Sequence, residues 1–163
     1  MISLAFYFLI RTFLFQSFII PSESMKETLF PGDMILVEKI DKWTGKDYQY
    51  GDIVVFDFGF EKHRLVKRII GLPGDVIDIE NGELFLNGEK SEESYVGNNK
   101  TMILDNNNGI IFPYMIPEDS VFLMGDNREE SSDSRVFGAV RIKDIDGKVF
   151  LRYWPLSSFG KIE

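Results

Sequence analysis

Two serines and one lysine are the residues of this chain that could together perform nucleophilic catalysis. Ser22 and Ser24 lie two positions apart, directly after a long apolar run. A serine hydroxyl reacts at neutral pH only after a base has taken its proton. The single histidine, His63, lies in the charged stretch 61–64, which is typical of an exposed turn. A lysine is therefore the base that the composition favours, and a histidine triad through His63 is the alternative.

Lys67 is the lysine best suited to act as that base. An exposed amine is protonated at neutral pH, so a lysine base must lie where burial disfavours its charge. The pattern of residues 64–70 predicts a strand, and side chains alternate between the two faces of a strand. Leu65 and Ile69 therefore share the face of Lys67, and both are apolar. This pattern predicts a desolvated amine.

Two other interpretations of these residues remain open. Lys26 lies closer to Ser24 along the chain, but the adjacent Glu27 would keep its amine charged. Lys67 could also be an ordinary lysine on an edge strand, beside two surface serines, because edge strands often carry lysine.

The composition excludes several classes of function. The 163 residues suffice for one domain and an anchor, and the formal net charge is −8. An acidic chain argues against binding to nucleic acid, whose phosphates require clustered Lys and Arg. The chain contains no cysteine, which excludes disulfides, thiol catalysis and zinc–thiolate sites, and one histidine excludes a multi-histidine metal site. We expect neither a metal nor a cofactor.

The apolar run from Ile2 to Ile20 predicts a transmembrane helix, so we assign residues 1–20 to an anchor. At about 1.5 Å per residue the run would span roughly 28 Å, close to the thickness of a hydrocarbon core. Arg11 would cost roughly 2.5–3.5 kcal/mol at mid-helix, whereas the Ile, Leu and Phe residues would contribute roughly 4–7 kcal/mol to insertion. Pro21 would end the helix. A buried core helix and an in-plane amphipathic helix are the alternatives.

The remaining residues, 21–163, predict a single β-rich domain with little helix. The run 76–86 has two alternating segments around Asn81-Gly82, the usual signal of a type I′ hairpin. Further strands are predicted over 34–40, 51–56, 64–70, 110–115, 120–124, 136–140 and 149–154. The polar stretch 91–109 is predicted to be a surface excursion of variable order.

Four segments resemble the conserved boxes of type I signal peptidases, in the order in which that family has them. The segments are Ile20-Pro-Ser-Glu-Ser-Met25 with Thr28-Leu29, then Gly51-Asp-Ile-Val-Val-Phe56, then Lys67-Arg68 with Gly71-Leu-Pro-Gly-Asp75, and Gly125-Asp-Asn-Arg128 with Ser131, Asp133, Ser134 and Arg135. The resemblance implies a mainly β fold, with the β-sheet body of signal peptidases and repressor-type proteases behind an N-terminal transmembrane helix.

The resemblance also implies a role for each residue of the site. Ser24 would be the nucleophile and Lys67 the general base, with Ser131 orienting the lysine. The Ser22 hydroxyl and the Ser24 N–H would form the oxyanion hole. A supporting network of ion pairs would consist of Arg68, Asp126, Asp133 and Arg135. Shallow apolar pockets that accept only small substrate side chains would be lined by Phe18, Ile20, Val55 and Val66.

The chain departs from the family pattern at Glu23, where a small residue is usual, and at Glu27, where proline is usual. A carboxylate close to Lys67 would raise the pKa of the amine and oppose catalysis. We therefore expect both glutamates to face solvent or lipid headgroups. The chain also begins almost directly in the apolar run, so an N-terminal truncation or an upstream start codon is one interpretation.

The sequence therefore predicts a membrane-bound serine endopeptidase that removes N-terminal signal peptides from secreted preproteins. We expect a monomeric, single-pass protein of the cell membrane, with its catalytic domain on the extracytoplasmic side and with preproteins and membrane lipid as partners. One alternative is a catalytically inactive homologue that binds preproteins. The other is a Ser-Lys autoprotease of the repressor type, although those proteins carry a DNA-binding domain where this chain has the apolar run.

Overall fold

The described part of the protein forms two antiparallel β-sheets. A computed structural model describes residues 14–39, 48–59, 64–104 and 110–162. The strands are β1 Phe15–Ile19, β2 Met34–Glu38, β3 Ile53–Phe56, β4 Leu65–Gly71, β5 Val76–Glu80, β6 Glu83–Leu86, β7 Glu89–Lys90, β8 Tyr114–Met115, β9 Ser120–Met124, β10 Val140–Arg141, β11 Ile145–Trp154 and β12 Gly160–Lys161. Among the described residues, one short α-helix, α1, covers Ser134–Phe137, and 3-10 turns cover Ser94–Val96, Ile142–Asp144 and Leu156–Ser158. The predicted mainly β fold is confirmed.

The larger sheet has the strand order β1-β2-β11-β3-β4-β9-β10, with β12 added to β11. The long strand β11 lies between β2 and β3, and Gly147 allows the close approach of β2. A Cβ atom at Gly147 would lie 2.2 Å from the Glu38 carbonyl oxygen. Strand β3 pairs with β4 so that Val54 lies opposite Lys67. All four residues of β3 are buried, so this part of the sheet is covered on both faces.

The smaller sheet has the order β7-β6-β5-β8 and contains the predicted hairpin. Asn81 and Gly82 form its turn, with positive φ angles of 53° and 85°. Both residues of a type I′ turn require positive φ, which the Asn-Gly pair adopts readily. The hairpin prediction is confirmed over both strands.

The N-terminal apolar run ends in a strand, not in a helix. Strand β1 pairs antiparallel with β2, from Phe15 opposite Glu38 to Ile19 opposite Met34. The predicted helix is therefore wrong for residues 15–19. The residues Phe15-Gln-Ser-Phe-Ile19 suit a strand, and β2 offers backbone groups that require partners. The rest of the predicted anchor, 1–13, lies outside the described residues, as does His63. Within the described ranges, no helix has the length and apolar character needed to cross a bilayer.

One further prediction about the domain requires correction. Residues 136–140 were predicted to be a strand, but only Val140 is in one, and α1 begins at Ser134 because the Asp133 side chain caps it by accepting from the Arg135 N–H. The surface excursion over 91–109 stays a prediction. In its described part, 91–104, most residues are exposed or half-buried, but Val96 and Thr101 are buried, and the Thr101 N–H donates to the Gly82 carbonyl. Residues 105–109 lie outside the described part.

Candidate active site

The turn between β1 and β2 holds Ser24 against the body of the protein. The Lys26 N–H donates to the Glu23 carbonyl at 2.9 Å, and the Leu29 N–H donates to the Met25 carbonyl at 2.8 Å. Met25 and Leu29, which both follow Ser24, are buried in the apolar core and anchor the turn. Ser24 itself is buried, with 8% of its surface exposed.

The Lys67 amine contacts the Ser24 hydroxyl. Lys67 Nζ donates to Ser24 Oγ at 2.6 Å, and the lysine is 2% exposed. The two residues are 43 positions apart in sequence, so the contact depends on the fold. A general base must lie within hydrogen-bond reach of the proton that it removes, and this distance satisfies that requirement.

Ser22 lies beside the same hydroxyl. Its Oγ is 3.3 Å from Ser24 Oγ, and its side chain is exposed. A hydroxyl in this place could donate to an oxyanion that forms next to Ser24. The geometry therefore gathers the three groups that the sequence predicted: the Ser22 hydroxyl, the Ser24 hydroxyl and the Lys67 amine.

The loop 125–133 binds the backbone of the turn that carries Ser24, which we call the Ser24 turn. Asn127 donates from its N–H to the Ser24 carbonyl and from Nδ2 to the Glu23 carbonyl, each at 3.1 Å. A Cβ atom at Gly125 would lie 2.4 Å from the Ser24 carbonyl oxygen and 2.3 Å from Ser131 Oγ. Only a glycine fits at this point of the loop.

Ser131 is close to Ser24, but the hydrogen bond that the resemblance implies for it is not seen. Its side chain is 5% exposed. Within the described residues its hydroxyl has no hydrogen-bond partner. The structure thus places Ser131 beside the Ser24 backbone without the predicted hydrogen bond to Lys67.

The predicted supporting network consists of two buried, bidentate ion pairs. Arg68 donates to Asp126 from Nε at 2.9 Å and from Nη2 at 2.8 Å. Arg135 donates to Asp133 from the same two atoms, each at 2.9 Å. The Asp133 carboxylate also accepts from the Gly125 N–H at 3.1 Å, which ties the second pair to the loop. Bidentate geometry fixes both partners of each pair in orientation as well as in distance.

Thr28 connects the first ion pair to the Ser24 turn. Its hydroxyl donates to Asp126 Oδ2 at 2.5 Å and accepts from Arg68 Nη2 at 3.2 Å. Because Arg68 follows Lys67 in β4, one cluster joins the strand that carries Lys67, the Ser24 turn and the loop at Asp126. No sequence pattern predicted this role of Thr28.

Sequence reasoning also missed a second cluster, around Arg128. This arginine is 1% exposed and donates to the Gly125 carbonyl from Nε at 3.1 Å. Its Nη1 and Nη2 atoms donate to the Glu93 carboxylate at 2.8 and 2.5 Å, and Nη1 also contacts the Thr101 hydroxyl. Arg128 belongs to the motif Gly125-Asp-Asn-Arg128, but no sequence pattern connects it to the polar stretch that supplies Glu93.

Tyr95 completes this cluster. Its ring lies over the Arg68 guanidinium, with 4.1 Å between Arg68 Cζ and the ring centroid. Its hydroxyl donates to Glu93 Oε1 at 3.1 Å. Burial, and then the Glu93 carboxylate, raise the pKa of Tyr95 well above its usual range. The hydroxyl therefore keeps the proton that it donates.

The two glutamates that depart from the family pattern are both exposed, as expected. Glu23 pairs with Lys26 across 3.4 Å, and 59% of its side chain is exposed. Glu27 lies against Gly97, and its backbone has a φ of 95°, which is strained for a residue with a side chain.

The four predicted pocket residues lie together. Phe18, Ile20, Val55 and Val66 belong to one apolar cluster, in which Val55 lies directly opposite Val66. Ile20 and Val55 are almost fully buried, Val66 is 7% exposed, and Phe18 is half-buried. Phe18 and Val66 are therefore the members that a bound chain could reach without rearrangement.

Comparisons with known proteins agree with one another. The model of the family "Signal peptidase, peptidase S26" matches residues 1–154. The signal peptidase I P of Bacillus subtilis subsp. natto is 45% identical over 160 residues, which cover 96% of this chain and 86% of that protein. The signal peptidase IB of Staphylococcus aureus is 35% identical, over 93% of this chain and 84% of that protein. A crystal structure of a signal peptidase I from Enterococcus faecalis is 30% identical, has a TM-score of 0.54, and covers 63% of this chain and 97% of its own.

Proposed function

Because the chain belongs to the peptidase S26 family of signal peptidases, we propose that it cleaves preproteins with Ser24 as nucleophile and Lys67 as general base. The observation that carries this assignment of roles is the 2.6 Å contact between Lys67 Nζ and Ser24 Oγ. The family accounts for the endopeptidase activity, and the contact supports the choice of residues.

Burial supports Lys67 as a base. Its side chain is 2% exposed, and transfer of an ammonium group out of water disfavours the charged form. We therefore expect the pKa of Lys67 to lie below that of an exposed lysine. A neutral amine at 2.6 Å from the Ser24 hydroxyl can accept its proton directly.

The reaction would run in two halves. Ser24 Oγ attacks the scissile carbonyl carbon while Lys67 takes the hydroxyl proton, and the Ser22 hydroxyl and the Ser24 N–H stabilise the oxyanion. Lys67 then donates the proton to the leaving nitrogen, which releases the mature protein and leaves the signal peptide as an ester on Ser24. A water molecule that transfers its proton to Lys67 attacks this ester, and Ser24 recovers a proton as the peptide leaves.

The surface near β1 supports a site at the membrane. Ile19 and Trp154 are 61% and 49% exposed, and both lie opposite Met34, on the two sides of β2. Leu156 and Phe159, directly after β11, are also exposed. Apolar residues grouped at one end of a sheet suit a bilayer surface. We place the protein in the cell membrane as a single-pass, monomeric enzyme whose catalytic domain is extracytoplasmic and acts on preproteins.

Replacement of either catalytic residue tests the assignment. Ser24→Ala and Lys67→Ala should each abolish cleavage of a membrane-inserted preprotein, because each removes one partner of the proton transfer. Gel separation of precursor and mature protein measures cleavage, and circular dichroism checks that the fold is retained. Turnover that persists in Lys67→Ala would assign the base elsewhere. A wild-type protein that binds the preprotein without cleaving it would favour the inactive homologue.

A further inference from the structure

The segment 93–101, which we call the strap, crosses from the smaller sheet to the back of the active site. The sequence predicted a surface excursion here, yet Val96 and Thr101 are buried and the Thr101 N–H is bound to the Gly82 carbonyl. The strap contributes Tyr95 and Glu93 to two buried arginines. Neither residue belongs to the boxes that resemble the family.

The first arginine connects the strap to the base. Arg68 adjoins Lys67 in β4, so a displacement of the Arg68 backbone also displaces the residue that carries the amine. The bidentate ion pair with Asp126 fixes the plane of the Arg68 guanidinium. The Tyr95 ring covers one face of this plane, with 4.1 Å between Arg68 Cζ and the ring centroid. A cation on an aromatic face is stabilised most where water is excluded, and Arg68 is 2% exposed.

The second arginine connects the strap to the nucleophile. Glu93 binds both terminal nitrogens of Arg128, which in turn donates to the Gly125 carbonyl. Gly125 lies against the Ser24 carbonyl with no room for a Cβ atom, and the next-but-one residue, Asn127, donates to that same carbonyl. A shift of Arg128 therefore reaches the backbone of Ser24 through the loop.

We propose that Tyr95 and Glu93 are positioning residues of the catalytic pair, acting through Arg68 on Lys67 and through Arg128 on Ser24. The inference rests on the proposed roles of Ser24 and Lys67. Tyr95 covers the guanidinium of Arg68, and Glu93 forms an ion pair with Arg128. The Tyr95 hydroxyl joins the two clusters by donating to Glu93. The strap thus adjusts the contact between base and nucleophile without touching substrate.

Tyr95→Leu provides the sharpest test, with Tyr114→Leu as its matched control. Both tyrosines are partly buried and pack against the same apolar cluster, but Tyr114 contacts the Phe122 ring instead of an arginine. We expect Tyr95→Leu to lower kcat by about tenfold, since small displacements of catalytic groups are costly, and to leave KM within about twofold. Tyr95→Phe keeps the ring over Arg68 and should restore most of kcat.

Glu93→Gln tests the second connection against Glu83→Gln. Glu93 neutralises a buried arginine, whereas Glu83 pairs with Lys90 on the surface, with 48% of its side chain exposed. Glu93→Gln should lower kcat as Tyr95→Leu does, and Glu83→Gln should leave it unchanged. All rates are divided by the folded fraction, which is measured for each variant by thermal unfolding in detergent.

The outcomes separate this inference from the proposed function. If Tyr95→Leu and Glu93→Gln have the same kcat as their controls, the inference is overturned. It is also overturned if their losses of activity vanish after correction for the folded fraction, or if only KM changes. If Ser24→Ala cleaves the preprotein, the proposed function fails and the inference fails with it. If Ser24→Ala is inactive and Tyr95→Leu is fully active, the inference alone fails.

Discussion

The buried ion pair between Arg68 and Asp126 gives a quantitative prediction. The two side chains are 2% and 1% exposed, and the Asp126 carboxylate accepts three hydrogen bonds, two from Arg68 and one from Thr28. Asp126→Asn keeps the shape of the side chain but leaves the charge of the Arg68 guanidinium uncompensated. It also turns an amide N–H toward one of the groups of Arg68 or Thr28 that donate to the carboxylate. Breaking one partner of a buried pair costs about 3–5 kcal/mol. This is a large part of the about 5–15 kcal/mol that stabilises a typical domain.

Urea unfolding of the detergent-solubilised protein measures this loss. With a slope of about 2 kcal/mol per molar, Asp126→Asn should lower the unfolding midpoint by roughly 2 M. The control is Asp57→Asn, because Asp57 pairs with Arg64 where the side chains are 44% and 46% exposed. Exposed pairs contribute at most about 1 kcal/mol, so this midpoint should move little. Equal midpoints for the two variants would refute the claim that the buried pair holds the site together.

Two substitutions, one that introduces a glycine and one that replaces a glycine, test the Ser24 turn and its contacts. Glu27→Gly should raise stability by about 1 kcal/mol in thermal unfolding, because glycine adopts the φ of 95° without strain, whereas Glu23→Gly, at a position without positive φ, should lower it. A gain in both variants, or in neither, would contradict the assignment of strain. Gly125→Ala should lower kcat by about a hundredfold, because the added Cβ would displace the Ser24 backbone. Gly160→Ala, with nothing within 4 Å of the added atom, is its control, and equal rates would show that the loop does not restrain the nucleophile.

Much of the sheet near the site could be predicted from local pattern. Strands β3, β4, β5 and β6 lie within one or two residues of their predicted bounds, because alternation and the Asn-Gly turn are local signals. The burial of Lys67 could be predicted for the same reason. Its neighbours Leu65 and Ile69 share its face, and a strand that buries them buries the amine.

Long-range contacts account for what the sequence did not predict. An apolar run such as 15–19 suits either a helix or a strand, and the choice depends on pairing with β2, twenty residues further on. Glu93 and Tyr95 lie in a stretch that is polar enough to be predicted as exposed. Their partners are two buried arginines, 27 and 35 positions away in sequence, that no local pattern connects to them.

The pH dependence of preprotein cleavage tests the central claim most directly. In the proposed mechanism, a rise in pH removes the proton from Lys67 and so creates the base that Ser24 needs. Measured as kcat/KM from about pH 5 to pH 9 with the same membrane-inserted preprotein, activity should climb with pH along a single ionisation. A profile that is flat across this range would contradict a lysine that titrates as the general base.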